Sequence, residues 1–437
     1  MAAINPKVSH EANAPEGNPQ LRPAEARDGF TGYQKLVVAL LAFLQFTVIL
    51  DFMILAPLGA ILMPTLGIST SQFSLVVSAY AFSAGIAGFL SAGFADRFDR
   101  KRMLIFFYVG FLVGTLMCAT ANSFEALLTA RIVTGLFGGV IGSTVFAITT
   151  DLFPFSMRGR VMGVLQSAFA ASQIMGIPLG IYAANTVGWH APFFMIVGIG
   201  AIVGAVIGRG LKPVNEHLTQ RTNGSAFYHL WMTAKDRRYQ QGFLTTTFLA
   251  MGGFMLMPFS SAFSVKNLGV DLSTLPHVYM ITGLCTMFAG PLVGRASDKF
   301  GKFRMFLIGT FLTIIMVAVY TNLGKTPLPF VILVNVMLFI GITARMIPSQ
   351  ALMSGVPDPK SRGAYASISA SLQQMAGGLG AVVAGHIVET LPDGSIAYFD
   401  RVGYVVVFAS LFTLYMMLRI HRLVPEPARP PLAMSGK

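Results

Sequence analysis

A knot of charge set between long uncharged runs constrains this chain more than any other feature. Within residues 93–104, six charged side chains fall in seven positions: Asp96, Arg97, Asp99, Arg100, Lys101 and Arg102. The nearest charged residue before the knot is Asp51, and the nearest after it is Glu125. Each flanking run is long enough to cross a bilayer, so the knot reads as a short basic turn between two membrane spans. The device returns at residues 290–306, with Asp298, Lys299, Gly301, Lys302 and Arg304. Gly67 precedes Asp96 by 29 residues, the spacing at which Gly269 precedes Asp298. Further on, Pro154 with Arg158-Gly159 is echoed by Pro357 with Arg362-Gly363. The chain is therefore two related halves in the same order, and internal duplication of a multi-span unit is a transporter pattern.

Composition agrees with this. Of the 437 residues, 54% are hydrophobic and 11% charged, where a soluble domain would carry about a quarter charged. The net charge of +13 does not imply a nucleic-acid partner. Its arginines and lysines fall in alternate loops, among them Arg97, Arg100, Arg158, Arg238, Lys299, Lys302 and Arg362, while the intervening loops hold little beyond Lys266, Lys325 and Arg401. That bias predicts a cell (inner) membrane protein with both termini in the cytoplasm. Cys118 and Cys285 stand alone in apolar runs and imply no disulfide framework.

The order of elements follows. Residues 1–34 read as a disordered tail without a signal peptide. Six spans are expected near 36–61, 72–94, 104–121, 124–149, 161–185 and 191–209, forming an N-terminal bundle over 35–209. A cytoplasmic linker covers 210–240. Six more spans near 242–264, 273–294, 305–321, 328–353, 364–388 and 402–419 form a second bundle over 241–420, followed by a tail at 421–437. The fold class is all-α and integral to the membrane, with twelve helices in two pseudo-symmetric bundles.

Three charges lie deep within the spans. Asp51 sits about 16 Å from the outer end of span one, and Arg131 about 10 Å from that of span four. Neither has an ionisable counterpart in the other half, which favours a functional pair over a scaffold pair. Arg345 in span ten either faces a cavity or snorkels to water. Gln166 and Gln173 share a face of span five, and Ser371 and Gln374 lie in span eleven; these could line a polar cavity or bond across helices.

On these residues the chain resembles the major facilitator superfamily of transporters. The signature loop of that family, G-x-x-x-D-R/K-x-G-R/K-x-R/K, is matched by Gly294, Asp298, Lys299, Gly301, Lys302 and Arg304. The first copy departs at Ala92 and at Asp99, which puts an extra anion among the arginines. The resemblance implies that Asp96, Arg97 and Arg100, with Asp298, Lys299 and Arg304, form a cytoplasmic gate. It also implies proton coupling at Arg131 with Asp51. Gly176, Pro178 and Gly180 resemble the antiporter motif of proton-coupled exporters, with Ile177 splitting the family's usual Gly-Pro pair. The expected activity is proton-coupled export of a small organic molecule, as in bacterial drug:proton antiporters and sugar-efflux permeases. Uptake by symport and a lipid-handling role are the alternatives. No enzyme motif, cofactor or metal site is present in the sequence, and the expected partners are substrate, proton and the lipid bilayer, with the protein a monomer.

Overall fold

The computed structural model describes residues 30–91, 93–215, 218, 226–358 and 361–423. The tails expected over 1–34 and 421–437 fall mostly outside them. Hydrocarbon offers no water to bond backbone amides, so each span must satisfy its own, and the chain is helical almost throughout. The first half holds α1 (Gly32–Ile54), α2 (Gly59–Leu66), α3 (Thr70–Ser91), α4 (Arg100–Thr120), α5 (Phe124–Leu152), α6 (Phe155–Ala171), α7 (Ile177–Thr186) and α8 (Ala191–Gly210). A connector helix, α9 (Ala226–Lys235), leads to the second half. That half holds α10 (Arg237–Phe254), α11 (Ser260–Lys266), α12 (Leu275–Phe300), α13 (Lys302–Thr321), α14 (Leu328–Met353), α15 (Arg362–Ile387) and α16 (Phe399–Leu423). A short hairpin, β1 (Glu389–Thr390) with β2 (Ile396–Ala397), joins α15 to α16.

Among the described residues, ten helical segments are long and apolar enough to cross a membrane on their own. Spans seven and eleven complete the twelve. The first is broken and opens on Arg237, Arg238, Gln240 and Gln241; the second carries Ser367, Ser369, Ser371, Gln373 and Gln374.

Spans one, five and seven are not the single helices that their apolar runs suggest. Span one breaks over 55–58 between α1 and α2, around Pro57, and span seven breaks over 255–259 between α10 and α11, around Pro258. Proline removes a helical donor and crowds the preceding turn, so each break falls at its proline. The duplication therefore extends to the breaks. In span five, Pro178 cannot donate to the carbonyl one turn back, and the chain widens just before it into a π turn at Ser172–Gly176, where Ile177 N donates to Ser172 O.

The halves meet where α3 runs along α15 and where α7 and the π turn run along α12. Small residues permit the approach: Gly378 backs onto Ala81, and Gly85 onto Ser371 and Met375. Hydrogen bonds between the halves cluster on the side away from the basic loops. Thr70 Oγ1 donates to Val388 O at 2.8 Å, Ser71 Oγ to Gly385 O at 3.0 Å, Ser261 Oγ to Ala56 O at 3.0 Å and Asn185 Nδ2 to Leu272 O at 2.8 Å. Phe73 and Phe259 stack edge-on across the same seam, 6.1 Å apart.

The connector is tied to each half separately. Its start is held by the first: Lys212 N donates to Tyr33 Oη, Val214 N to Asp99 Oδ2 and Arg100 N to Val214 O, each at 3.0 Å. Its end is held by the second, where Leu230 of α9 is buried with Tyr239, Phe243 and Tyr365.

Candidate functional site

Asp51 and Arg131 meet, as their depths suggested. Arg131 Nη1 donates to Asp51 Oδ2 at 2.8 Å, and both side chains are fully buried. The same nitrogen lies 3.4 Å from the Asp51 carbonyl. Thr115 Oγ1 of α4 donates to the other carboxylate oxygen, Oδ1, at 3.1 Å. The Tyr80 ring of α3 covers the guanidinium face at 4.6 Å, a cation–π contact. Four helices thus converge on one ion pair. Glycines on α5 make the convergence possible: a side chain at Gly135 would strike Ser83 and the Tyr80 carbonyl, and one at Gly138 would strike the Tyr80 hydroxyl. Tyr80 and Thr115 carry no charge and belong to no motif, so nothing in the sequence marks them.

A buried pair stripped of one partner typically costs about 3–5 kcal/mol, because the remaining charge is left without compensation. With Asp51 ionised the pair carries no net charge, and a proton on the carboxylate would leave it at +1.

The unit reaches the second half through aromatic rings. Phe52 lies 5.3 Å from Tyr80 and 5.8 Å from Phe254 of α10. Phe52, Phe254, Ala56, Ala81, Met257 and Gln374 line a cavity of about 10 Å³, room for roughly one water. Gln374 is thereby brought beside the residue that follows Asp51. Ser371 is buried against Gly85 and Gly88 at the seam, so it packs between helices. Gln173 lies in the π turn beside Gly283 of α12, and Gln166 is exposed on α6. The antiporter-like motif flanks Asp51: Gly176 packs on Leu50 and Gly180 on Ile54, one residue before and three after the carboxylate.

Arg345 stands apart from this unit. It is 3% exposed, and Nη1 donates to Ser410 Oγ of α16 at 2.9 Å.

The model of the Major Facilitator Superfamily matches residues 41–381, and matches again over 242–435. The chain belongs to the major facilitator superfamily. It is 26% identical to the MFS-type transporter YceJ of Bacillus subtilis over 86% of this chain and 94% of that one. It is 22% identical to a probable sugar efflux transporter of Helicobacter pylori, over 64% of this chain and 70% of that one. Among solved structures, a bacterial homolog of the human lysosomal transporter Spinster, inward-facing and unoccupied, superposes with a TM-score of 0.67 at 16% identity, covering 91% of this chain and 97% of that one. A point mutant of the nucleoside transporter NupG gives a TM-score of 0.70 at 15% identity, over 88% of this chain and 99% of that one.

The two copies of the superfamily's signature loop differ in structure. In the second, Gly301 turns the chain from α12 into α13 at φ +100°, a conformation that glycine adopts without strain. In the first, Asp99 takes the corresponding place with φ −57°, and its Oδ1 caps α4 by accepting from Arg102 N at 2.8 Å. The extra anion is thus an N-cap and a clamp on the connector, not an intruder among the arginines. Arg100 is buried and bonds Asp151 Oδ2 at 3.2 Å and the Ala95 carbonyl at 3.0 Å. Arg97 is exposed beside it, and the Asp96 side chain lies outside the described residues. In the second copy Asp298, Lys299 and Arg304 are exposed, and among the described residues no ion pair reaches Asp298.

Proposed function

We propose that this transporter is a proton-coupled exporter of a small organic molecule, working by alternating access in the cell membrane with both termini cytoplasmic. The observation that carries the reading is the fully buried Asp51–Arg131 pair, flanked by the antiporter-like Gly176–Gly180 segment. In this reading the bundles over 35–209 and 241–420 rock about the connector, and substrate enters from the basic-loop side. A proton arriving from the opposite side neutralises Asp51, frees Arg131 and changes the charge beside the seam at Phe52 and Gln374 by one unit, so substrate held between the bundles is released. Asp96 and Asp298 would close the basic side in the other half of the cycle.

The test is flux in proteoliposomes. Wild type should move substrate against an imposed proton gradient, and Asp51→Asn should not, while remaining inserted and folded. Proton-driven flux at the wild-type rate in that variant removes Asp51 from the mechanism. Direction is decided by substrate binding to the purified protein across pH. Antiport requires affinity to fall on acidification, since proton and substrate compete. Affinity that rises as pH drops, and loses that dependence in Asp51→Asn, would establish the second reading, uptake by symport.

A further inference from the structure

The second half buries a cation that none of the described residues neutralises. Arg345 lies eight residues before the Met353 end of α14, about 12 Å inside the basic face. Its partner Ser410 lies thirteen residues before the end of α16, about 20 Å from the same face. The guanidinium therefore aims toward the membrane interior and does not snorkel. This direction follows from the tilt of helical side chains toward the N-terminus, which for α14 is the far side. Every carboxylate of the second half among the described residues sits in a loop or a terminal turn: Asp236, Asp271, Asp298, Asp358, Glu389, Asp393 and Asp400. The one deep carboxylate among them all, Asp51, belongs to Arg131.

The donors of Arg345 are also unevenly used. Nη1 has Ser410, whereas Nε and Nη2 are buried without a hydrogen-bond partner. Those two N–H groups share one edge of the guanidinium, the edge that grips an anion with two parallel bonds. The helices packed on α14 hold their charged residues, among those described, toward their ends, and offer hydroxyls at depth. Gly309 of α13 presses on the backbone of Ala344 and Arg345, which brings α13 in closely there. The next residue, Thr310, is buried and its Oγ1 also lacks a partner. Arg131 likewise leaves Nε and Nη2 without hydrogen bonds, but its charge is cancelled by Asp51 and its face covered by Tyr80. Arg345 has neither. A lone ion held away from water costs several kcal/mol, and a counter-ion on its free edge removes most of that cost.

We propose that Arg345 is an anion site: its Nε–Nη2 edge binds a small anion inside the second bundle, either a resident inorganic ion or the carboxylate of an organic ligand. The site is independent of proton coupling at Asp51.

The test is the melting temperature of the purified full-length protein at constant ionic strength. Sodium gluconate, the most heavily hydroxylated of the anions used and so the costliest to strip of water, is replaced stepwise by chloride, phosphate, acetate or benzoate. At least one of the small anions should give a saturable rise of a few degrees. A rise with chloride or phosphate alone identifies an inorganic counter-ion; a rise with acetate and benzoate identifies a carboxylate-bearing ligand. Arg345→Met should abolish the rise, and Asp51→Asn should keep it even if transport is lost. Arg345→Lys keeps the charge without the fork, so the apparent affinity should weaken about tenfold; it decides the matter if the methionine variant does not fold. No anion dependence in the wild type overturns the proposal, as does a rise undiminished in either Arg345 variant.

Discussion

Each half of this transporter buries one arginine on its fourth span, and the two have opposite surroundings. Arg131 of α5 gives Nη1 to a carboxylate and lies against an aromatic ring; Arg345 of α14 gives Nη1 to a hydroxyl and faces no acid among the described residues. They do not occupy equivalent places, since Arg131 is seven residues from the start of its helix and Arg345 seventeen. The broken spans, the α3–α15 seam and the basic turns repeat across the halves. Duplication has thus preserved what backbone packing needs, while charge has diverged. A scaffold role would bind both halves to one pattern, and the absence of such a pattern is the ground on which we propose functional roles for both arginines.

The largest effect expected from breaking this contrast is on transport. Asp51→Asn should reduce proton-driven flux at least ~100-fold, as expected when a coupling proton loses its only site. Asp51→Ala should in addition destabilise by about 3–5 kcal/mol, because Arg131 is then buried alone. A melting temperature equal to wild type in Asp51→Ala would show that the pair is not held in the folded protein. Arg345→Met sharpens the contrast from the other side. Measured in gluconate, where no small anion compensates the charge, it should be neutral or stabilising by about 1–4 kcal/mol, since an apolar chain replaces an uncompensated ion. Destabilisation of Arg345→Met as large as that of Asp51→Ala would mean that the two arginines play the same structural part.

The two signature loops give a smaller test. Asp99→Gly restores the residue type found at Gly301; the lost helix cap costs only a few tenths of a kcal/mol against glycine, and the lost bond to Val214 N brings the expected loss to about 1–2 kcal/mol, together with faster proteolysis of the connector. Gly301→Ala should cost about 1–3 kcal/mol through its positive φ alone, with the connector unaffected. Equal connector cleavage in both variants would refute the clamp. The smallest effect belongs to Asp298, which is exposed and has no ion pair among the described residues in this conformation. Asp298→Asn should leave stability within ~0.5 kcal/mol of wild type, as for most surface changes. If Asp298 latches the basic side shut in the other conformation, cysteine labelling of positions on that side should still rise in the variant. Unchanged labelling would leave Asp298 a marker of topology.

Much of the fold was legible before any coordinate. Apolar run length sets the number of spans, because a bilayer of fixed thickness admits nothing shorter. The repeat of the basic turn exposed the duplication, and its near-match to the superfamily signature exposed the fold. The depths of Asp51 and Arg131 along their helices foretold the ion pair, since rise per residue is constant and a buried charge needs a partner. The prolines at 57, 178 and 258 were visible, but their effect was not. A proline inside a span can kink it, be bridged by neighbours or break it, and only the surrounding helices select the outcome.

What the tertiary structure decided is what surrounds each charge. Sequence spacing states how deep a side chain lies, not which helix it faces, because rotation about the helix axis is set by packing against partners far away in the chain. So Asp99 could be read as an intruding anion until its carboxylate was found capping α4 and holding Val214. Arg345 could be read as snorkelling until it was found aimed inward at Ser410. Tyr80 takes its place over Arg131 because glycines on α5 let α3 come close, and Thr115 reaches Asp51 from α4, where Gly114 packs on Thr134 of α5. The sequence by itself determined that this protein crosses the membrane twelve times in two related halves, since hydropathy and repetition act locally. Which of the charges deep within its spans is neutralised, and by what, is a property of helices brought together from across the chain.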